Sequence, residues 1–360
     1  MKFCYGFGDN SFGQLGEGLP SEVQLPHPIL VTDSPEPGSY PEDFEIFASN
    51  RSQSLIKVDS SRPEQPNSRR DHFLCLGFNP QDEGSASKTQ FELGVRSDAK
   101  RFVGGENFTL FLDFEGKLCD VETLENLNGD CRWKDVAMDN TGRLLAIDDR
   151  GKAYLFKDVA DLREFDGTRR SPLMAFDPKA PTASRVDRNK EPVDPHFSKV
   201  SSGWSHFLLL TSQDDTLGER QPHQIYVLGD NRFYQLGVPS SFGHSSNDCK
   251  LLPLPFFSLS EGFPSKVSKI ATGGRHNCVL TFDGDLYVWG WNEQGQLGLR
   301  SRNEEDQGRA IPQPTLVQLY DDQGDEVELD VKDVDCGSCH TIIVTENGDV
   351  WVTGCKSDHF

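Results

Sequence analysis

Two stretches decide the fold. Ala271-Thr-Gly-Gly-Arg-His276-Asn-Cys-Val-Leu-Thr-Phe-Asp-Gly284-Asp-Leu-Tyr-Val-Trp289-Gly290 aligns without a gap on Asp335-Cys-Gly-Ser-Cys-His340-Thr-Ile-Ile-Val-Thr-Glu-Asn-Gly348-Asp-Val-Trp-Val-Thr353-Gly354. His276 precedes Gly284 by eight residues, and His340 precedes Gly348 by the same eight. Residues 276–281 and 285–289 are short β-rich runs, and Phe282-Asp283-Gly284 between them is a hairpin turn signal.

A third copy starts at Ser202-Gly203-Trp204-Ser205-His206 and, after an inserted loop, ends at Ile225-Tyr-Val-Leu-Gly229. Weaker copies run from Val103-Gly104-Gly105, from Arg143 to Phe156, and from Phe47 to Gly77. The unit continues in a loop, Gly290-Trp-Asn-Glu-Gln-Gly-Gln-Leu-Gly298. That loop recurs as Gly229-Asp-Asn-Arg-Phe-Tyr-Gln-Leu-Gly237 and opens the chain as Gly8-Asp-Asn-Ser-Phe-Gly-Gln-Leu-Gly16. Units of about 35–70 residues, each a small antiparallel sheet, predict an all-β propeller of stacked blades. One blade cannot bury both its faces, whereas a ring of them can.

Composition agrees. Of 360 residues, 33 are Gly and 21 are Pro, which favours short strands and turns over helices. Lys and Arg total 36 against 57 Asp and Glu, a net charge of −21. Such a surface repels phosphate backbones, so direct, stable nucleic-acid binding is not expected. Met1–Gly8 has no secretory pattern, and no run of about 18 apolar residues exists to span a membrane. The nine scattered cysteines then read as reduced thiols, and the expected location is nuclear or cytoplasmic, not secreted.

These residues resemble the regulator-of-chromosome-condensation family, whose repeat has a Gly-Gly-x-x-His start, a Trp-Gly end and a Gly-Gln-Leu-Gly loop. The resemblance is strong over 200–354 and 5–16 and weak over 45–160. It implies a seven-bladed propeller spanning 1–360, with polar insertions at 157–196 and 239–266. Kelch and WD patterns are not sustained. There are six repeat starts and seven ends. Phe360 falls where a Gln-Leu-Gly loop would continue, so the closing blade is expected to be incomplete. A truncated isoform, closure by other strands and a persisting gap are the three readings of that seam.

No catalytic or cofactor signature is present. There is no Gly-x-x-x-x-Gly-Lys-Ser/Thr, no His-Glu-x-x-His and no Gly-x-Ser-x-Gly, so neither an enzyme nor a cofactor is expected. Cys336-x-x-Cys339-His340 fits a haem-attachment string, but His340 occupies the repeat position of His276. Neither haem nor a metal site is expected there. His206, His276 and His340 are expected to satisfy backbone groups where strands meet. Gly8, Gly16, Gly229, Gly237, Gly273, Gly274, Gly284, Gly290, Gly298, Gly348 and Gly354 read as structural positions of the repeat, with Gly273 and Gly274 in a tight turn.

Trp289 and Trp351 should pack between blades, while Trp204 and Trp291, at strand–loop junctions, are candidate anchors for a partner. The charged loop Arg300, Arg302, Glu304, Glu305 and Asp306 follows the best-matching blade and is a candidate recognition element. Function then reads as a non-catalytic adaptor. Within the family, the resemblance is to the short animal member that partners a Jumonji-type histone demethylase, in chromatin or mitotic regulation. Nucleotide exchange on a Ran-like small GTPase is the alternative implied by the founding member. A fungal relative implies an accessory role in tRNA wobble-uridine or diphthamide modification.

Overall fold

The computed structural model of the chain describes residues 4–9, 22–29, 43–49, 53–59, 72–77, 90–93, 99–104, 109–127, 129–165, 195–212, 224–238, 250–257, 263, 265–299, 308–320, 326–327 and 330–354. They divide into two compact units, one of residues 1–130 with 356–360 and one of residues 131–355.

In the first unit, strands Asp43–Ser49, Gln53–Asp59, His72–Gly77 and Gln90–Leu93 form a four-stranded antiparallel sheet. This is the region where the repeat signature is weakest. Ala99–Val103, Leu110–Asp113 and Leu118–Asp120 form a three-stranded sheet, and Cys4–Asp9 pairs with Glu22–Ile29 in a two-stranded one.

The second unit holds four such sheets in sequence. Their strands are 133–138, 144–148 and 153–156; then 197–202, 206–211, 225–229 and 252–254; then 267–272, 276–281, 286–290 and 311–316; then 331–336, 340–345 and 350–354. Each runs antiparallel in order of sequence, so the local turn chemistry fixes it. At one hairpin the Thr281 N–H donates to the Asp285 carbonyl at 2.9 Å, and Gly284 adopts φ +83°. Thr345, Gly348 and Asp349 repeat that turn, with φ +87° at Gly348. An L side chain resists that backbone conformation, which is why the turn carries glycine.

The core lies between successive sheets, and strand period decides which sheet each side chain meets. On His206–Thr211, Phe207 and Leu209 join Leu145, Ile147 and Phe197 on one face. Leu208 and Leu210 join Val279, Ile270 and Trp289 on the other. Cys278, Leu280 and Val288 continue the pattern against Val331, Val334 and Ile343. Trp289 is fully buried in the cluster it shares with Leu208 and Leu210, and Trp351 packs partly buried against that last cluster.

Two expectations change. The stretch 239–266 is not simply a polar insertion, because Leu252–Leu254 is the outer strand of its sheet, and Leu251, Phe257 and Phe263 are buried. Its Pro and polar residues masked a short apolar strand. In 157–196, Val159–Arg163 forms a short helix that buries Leu162, and Phe165 packs against Trp133 at 5.8 Å. Residues 166–194 lie outside the described residues.

Candidate partner-binding edge

The repeat's fixed residues form a joint between neighbouring sheets. His206 Nε2 lies 2.7 Å from Asn277 Oδ1 in the next sheet. Asn277 Nδ2 donates to the Gln235 carbonyl at 2.7 Å, and Trp289 Nε1 donates to the same carbonyl at 3.1 Å. Because the Asn277 amide N is committed as donor, its Oδ1 accepts and His206 carries its proton on Nε2. One sheet on, His276 Nε2 meets Thr341 Oγ1 at 3.0 Å, and that hydroxyl donates to the Gln296 carbonyl at 2.7 Å. The Nε2 atoms of His206 and His276 thus reach side chains of the neighbouring sheet, and His276 also meets the His340 backbone. Burial drives their pKa values down, to about 4 for His206 and about 3 for His276, so both are neutral.

The same joint explains the Gly-x-x-His spacing. A Cβ on Gly203 would lie 2.1 Å from His206 Cε1, and one on Gly273 would lie 2.1 Å from His276 Cε1. The imidazole occupies the space a side chain would need. His206 pairs with Gly229, His276 with Gly290 and His340 with Gly354, which closes each unit on its own start. The sheet at 133–156 has no such histidine. There Asp139 and Arg143 replace it, with Arg143 Nη2 2.7 Å from Asp139 Oδ2 and 3.0 Å from the Ser205 carbonyl in the next sheet.

Between these fixed positions the sequence varies, and the joint sets the variable residues side by side. Successive first turns are stitched by backbone bonds: Trp204 N–H donates to the Gly274 carbonyl, and Gly274 N–H donates to the Ser338 carbonyl, both at 3.0 Å. A Cβ on Gly274 would lie 2.8 Å from Trp204 Cε2, so the glycine gives room to the indole. The loops that follow the third strands fold back onto these turns. Asp230 N–H donates to the Ser205 carbonyl at 3.0 Å, and Trp291 N–H to the Arg275 carbonyl at 2.9 Å.

The result is an aromatic cluster around one cation. The Arg275 guanidinium lies 4.4 Å from the Phe233 ring centroid, 4.9 Å from that of Trp204 and 5.7 Å from that of Trp291. Phe233 and Trp291 meet edge-on at 6.2 Å. All four residues are half-buried. Beside them, exposed Arg232 pairs with buried Asp230 at 2.6 Å, and Trp291 Nε1 donates to Glu293 Oε2 at 3.1 Å. Burial opposes ionisation of Asp230, but the Arg232 side chain and backbone N–H hold its carboxyl below the usual range. Burial, and then the nearby Arg232, lower the Arg275 pKa, yet a guanidinium stays charged.

Tyr234 stands where the matching loop has Gly295. Gly295 has φ +78°, and Tyr234 keeps that left-handed backbone at φ +59°. Such strain in a bulky residue next to an aromatic cluster is the kind retained at functional sites.

Trp204 and Trp291, singled out from sequence, are thus brought together. Phe233, Arg275, Arg232 and Tyr234 were not singled out. Gly8 lies in the strand Cys4–Asp9. Gly16, Arg300, Arg302, Glu304, Glu305 and Asp306 lie outside the described residues. Cys336 turns its Sγ to Cys278 Sγ at 3.3 Å, and His340 fills the repeat position above Gly337.

Two segments, 223–280 and 283–344, match the model of the regulator of chromosome condensation (RCC1) repeat. These segments are similar to RCC1 repeats. A second RCC1 repeat model matches 267–296 and 331–359. The ultraviolet-B receptor UVR8 of Arabidopsis thaliana is 34% identical over 158 residues, 44% of this chain and 29% of the receptor. RCC1 domain-containing protein 1 of Homo sapiens is 29% identical over 185 residues, 43% of this chain and 44% of that protein. The matched stretch spans less than half of either relative. The solved structure of Prp20p from Saccharomyces cerevisiae, described with its binding to Gsp1p and histones, is similar with a TM-score of 0.62 at 18% identity, over 98% of this chain and 80% of that one. The fold is therefore that of an RCC1-type β-propeller, and the sheets above are its blades. Among the described residues no helix is long and apolar enough to cross a membrane.

Proposed function

We propose that the chain is a non-catalytic adaptor that binds a protein partner through the Trp204–Phe233–Arg275–Trp291 edge. The observation that carries this reading is the cluster itself. Two Trp, one Phe and one Arg converge half-buried from variable loops, on a joint of buried, hydrogen-bonded residues. Trp and Arg are the residue types that dominate binding energy at protein interfaces, where a pre-ordered anchor loses little entropy.

The partner we propose is a Jumonji-type histone demethylase, on the resemblance to the short animal member described above. Affinity capture from nuclear extract tests it. The wild-type chain should retain a Jumonji-domain protein, and Trp291→Ala should lose it. Capture without any Jumonji-domain protein contradicts that partner. Accelerated nucleotide release from the Ran GTPase would favour the exchange reading instead.

A further inference from the structure

The cations at this edge are not equivalent. Arg232 is held by Asp230, and Arg143 by Asp139 and the Ser205 carbonyl. Arg275 touches three rings, and among the described residues its guanidinium donates no hydrogen bond and forms no ion pair. Ring faces attract the charge but accept none of its five N–H protons in the way an oxygen does. The nearest acids are already engaged, Asp230 by Arg232 and Glu293 by the Trp291 indole. A partly desolvated guanidinium with no acceptor from the described protein residues is open to an acceptor from a partner, and a planar carboxylate matches its fork.

The surroundings restrict the kind of anion. The chain carries a net charge of −21, and Asp230 and Glu293 flank the cluster. A phosphate-rich backbone or a phosphorylated side chain would bring two or more negative charges against those carboxylates. One carboxylate brings a single charge to the Arg275 guanidinium. The half-buried indoles of Trp204 and Trp291 and the Phe233 ring leave apolar surface that a neighbouring aliphatic side chain would cover.

We propose that Arg275 is the receptor for one Asp or Glu side chain of the protein partner, set beside an apolar residue that lies on the Trp204, Phe233 and Trp291 rings. This rests on the adaptor reading and specifies its chemistry.

The full chain contains five tryptophans, so 15N-Trp labelling gives at most five indole signals to follow. The probes are the peptides acetyl-Leu-Glu-Leu-amide and acetyl-Leu-Gln-Leu-amide. The glutamate peptide should shift the Trp204 and Trp291 signals with a Kd of about 1–10 mM, and the glutamine peptide should bind about tenfold more weakly. Arg275→Gln should erase the difference, and Arg275→Lys, which keeps the charge but not the fork, should recover part of it. Equal response to both peptides, or no response, overturns the carboxylate proposal. The adaptor reading fails separately: it falls if Trp291→Ala and Arg275→Gln chains still capture every protein that the wild type captures.

Discussion

His206 reaches out of its own blade to Asn277, Nε2 to Oδ1 at 2.7 Å, and both side chains are fully buried. The link fixes one blade's second strand to the next blade's second strand. Asn277→Ala would strand the His206 N–H and take one of two donors from the Gln235 carbonyl. The expected loss is about 2–4 kcal/mol, since each buried group left unpaired costs its desolvation. Urea unfolding of the two chains measures it, and a change below about 0.5 kcal/mol would show that the joint contributes little.

The buried histidines make stability depend on pH. In the unfolded chain they take up protons below their ordinary value of 6.5, whereas in the folded chain His206 holds out to about 4 and His276 to about 3. Stability is therefore full above that ordinary value and falls as pH drops toward 4. The slope reaches about 1.4 kcal/mol per pH unit for each histidine. Urea midpoints across that range should fall, and His276→Asn should flatten the dependence while lowering stability overall. A flat wild-type profile contradicts the burial of neutral imidazoles.

Tyr234 holds a left-handed backbone that its equivalent Gly295 adopts without cost. Tyr234→Gly should stabilise the fold by about 1 kcal/mol, the strain released less the entropy glycine adds to the unfolded chain. Thermal unfolding reads this out. A destabilised variant would mean that the Tyr234 ring contributes more packing than its backbone loses.

Burial, and then contact with Cys278, push the Cys336 thiol well above its ordinary pKa. Thiolate is the reactive form, so alkylation by iodoacetamide at neutral pH should run at least about tenfold slower than for an exposed thiol. Peptide mass spectrometry after timed quenching resolves each cysteine. Rapid labelling of Cys336 in the folded chain would contradict the tight Cys278–Cys336 contact.

Much of this was legible in the sequence because the repeat is spaced by covalent geometry. Gly273 and His276 must lie three apart for the imidazole to lie over the glycine, and His276 must face Gly290 across a hairpin of fixed length. Register, blade type and the placement of Trp289 between sheets follow from that spacing. The outer strand Leu252–Leu254 did not, because a three-residue strand with a proline at its centre and another after it has no period to detect. Nor did the cluster. Trp204 and Trp291 stood out as aromatic residues at junctions, but Arg275 and Phe233 come from different loops of two blades, 42 positions apart. Only the blade-to-blade joint brings them within 4.4 Å, and no single repeat carries that information.

The edge that carries the aromatic cluster is open to a direct test of position. Gln294, exposed beside Trp291 and Glu293, and Phe282, 65% exposed at the opposite turn of the same blade, can each be replaced by photoreactive benzoylphenylalanine. Irradiation in nuclear extract should cross-link a partner from position 294 and not from position 282, and Arg275→Gln should abolish that product. Cross-linking of the same partner from position 282 alone, or an undiminished product with Arg275→Gln, would contradict binding at this edge.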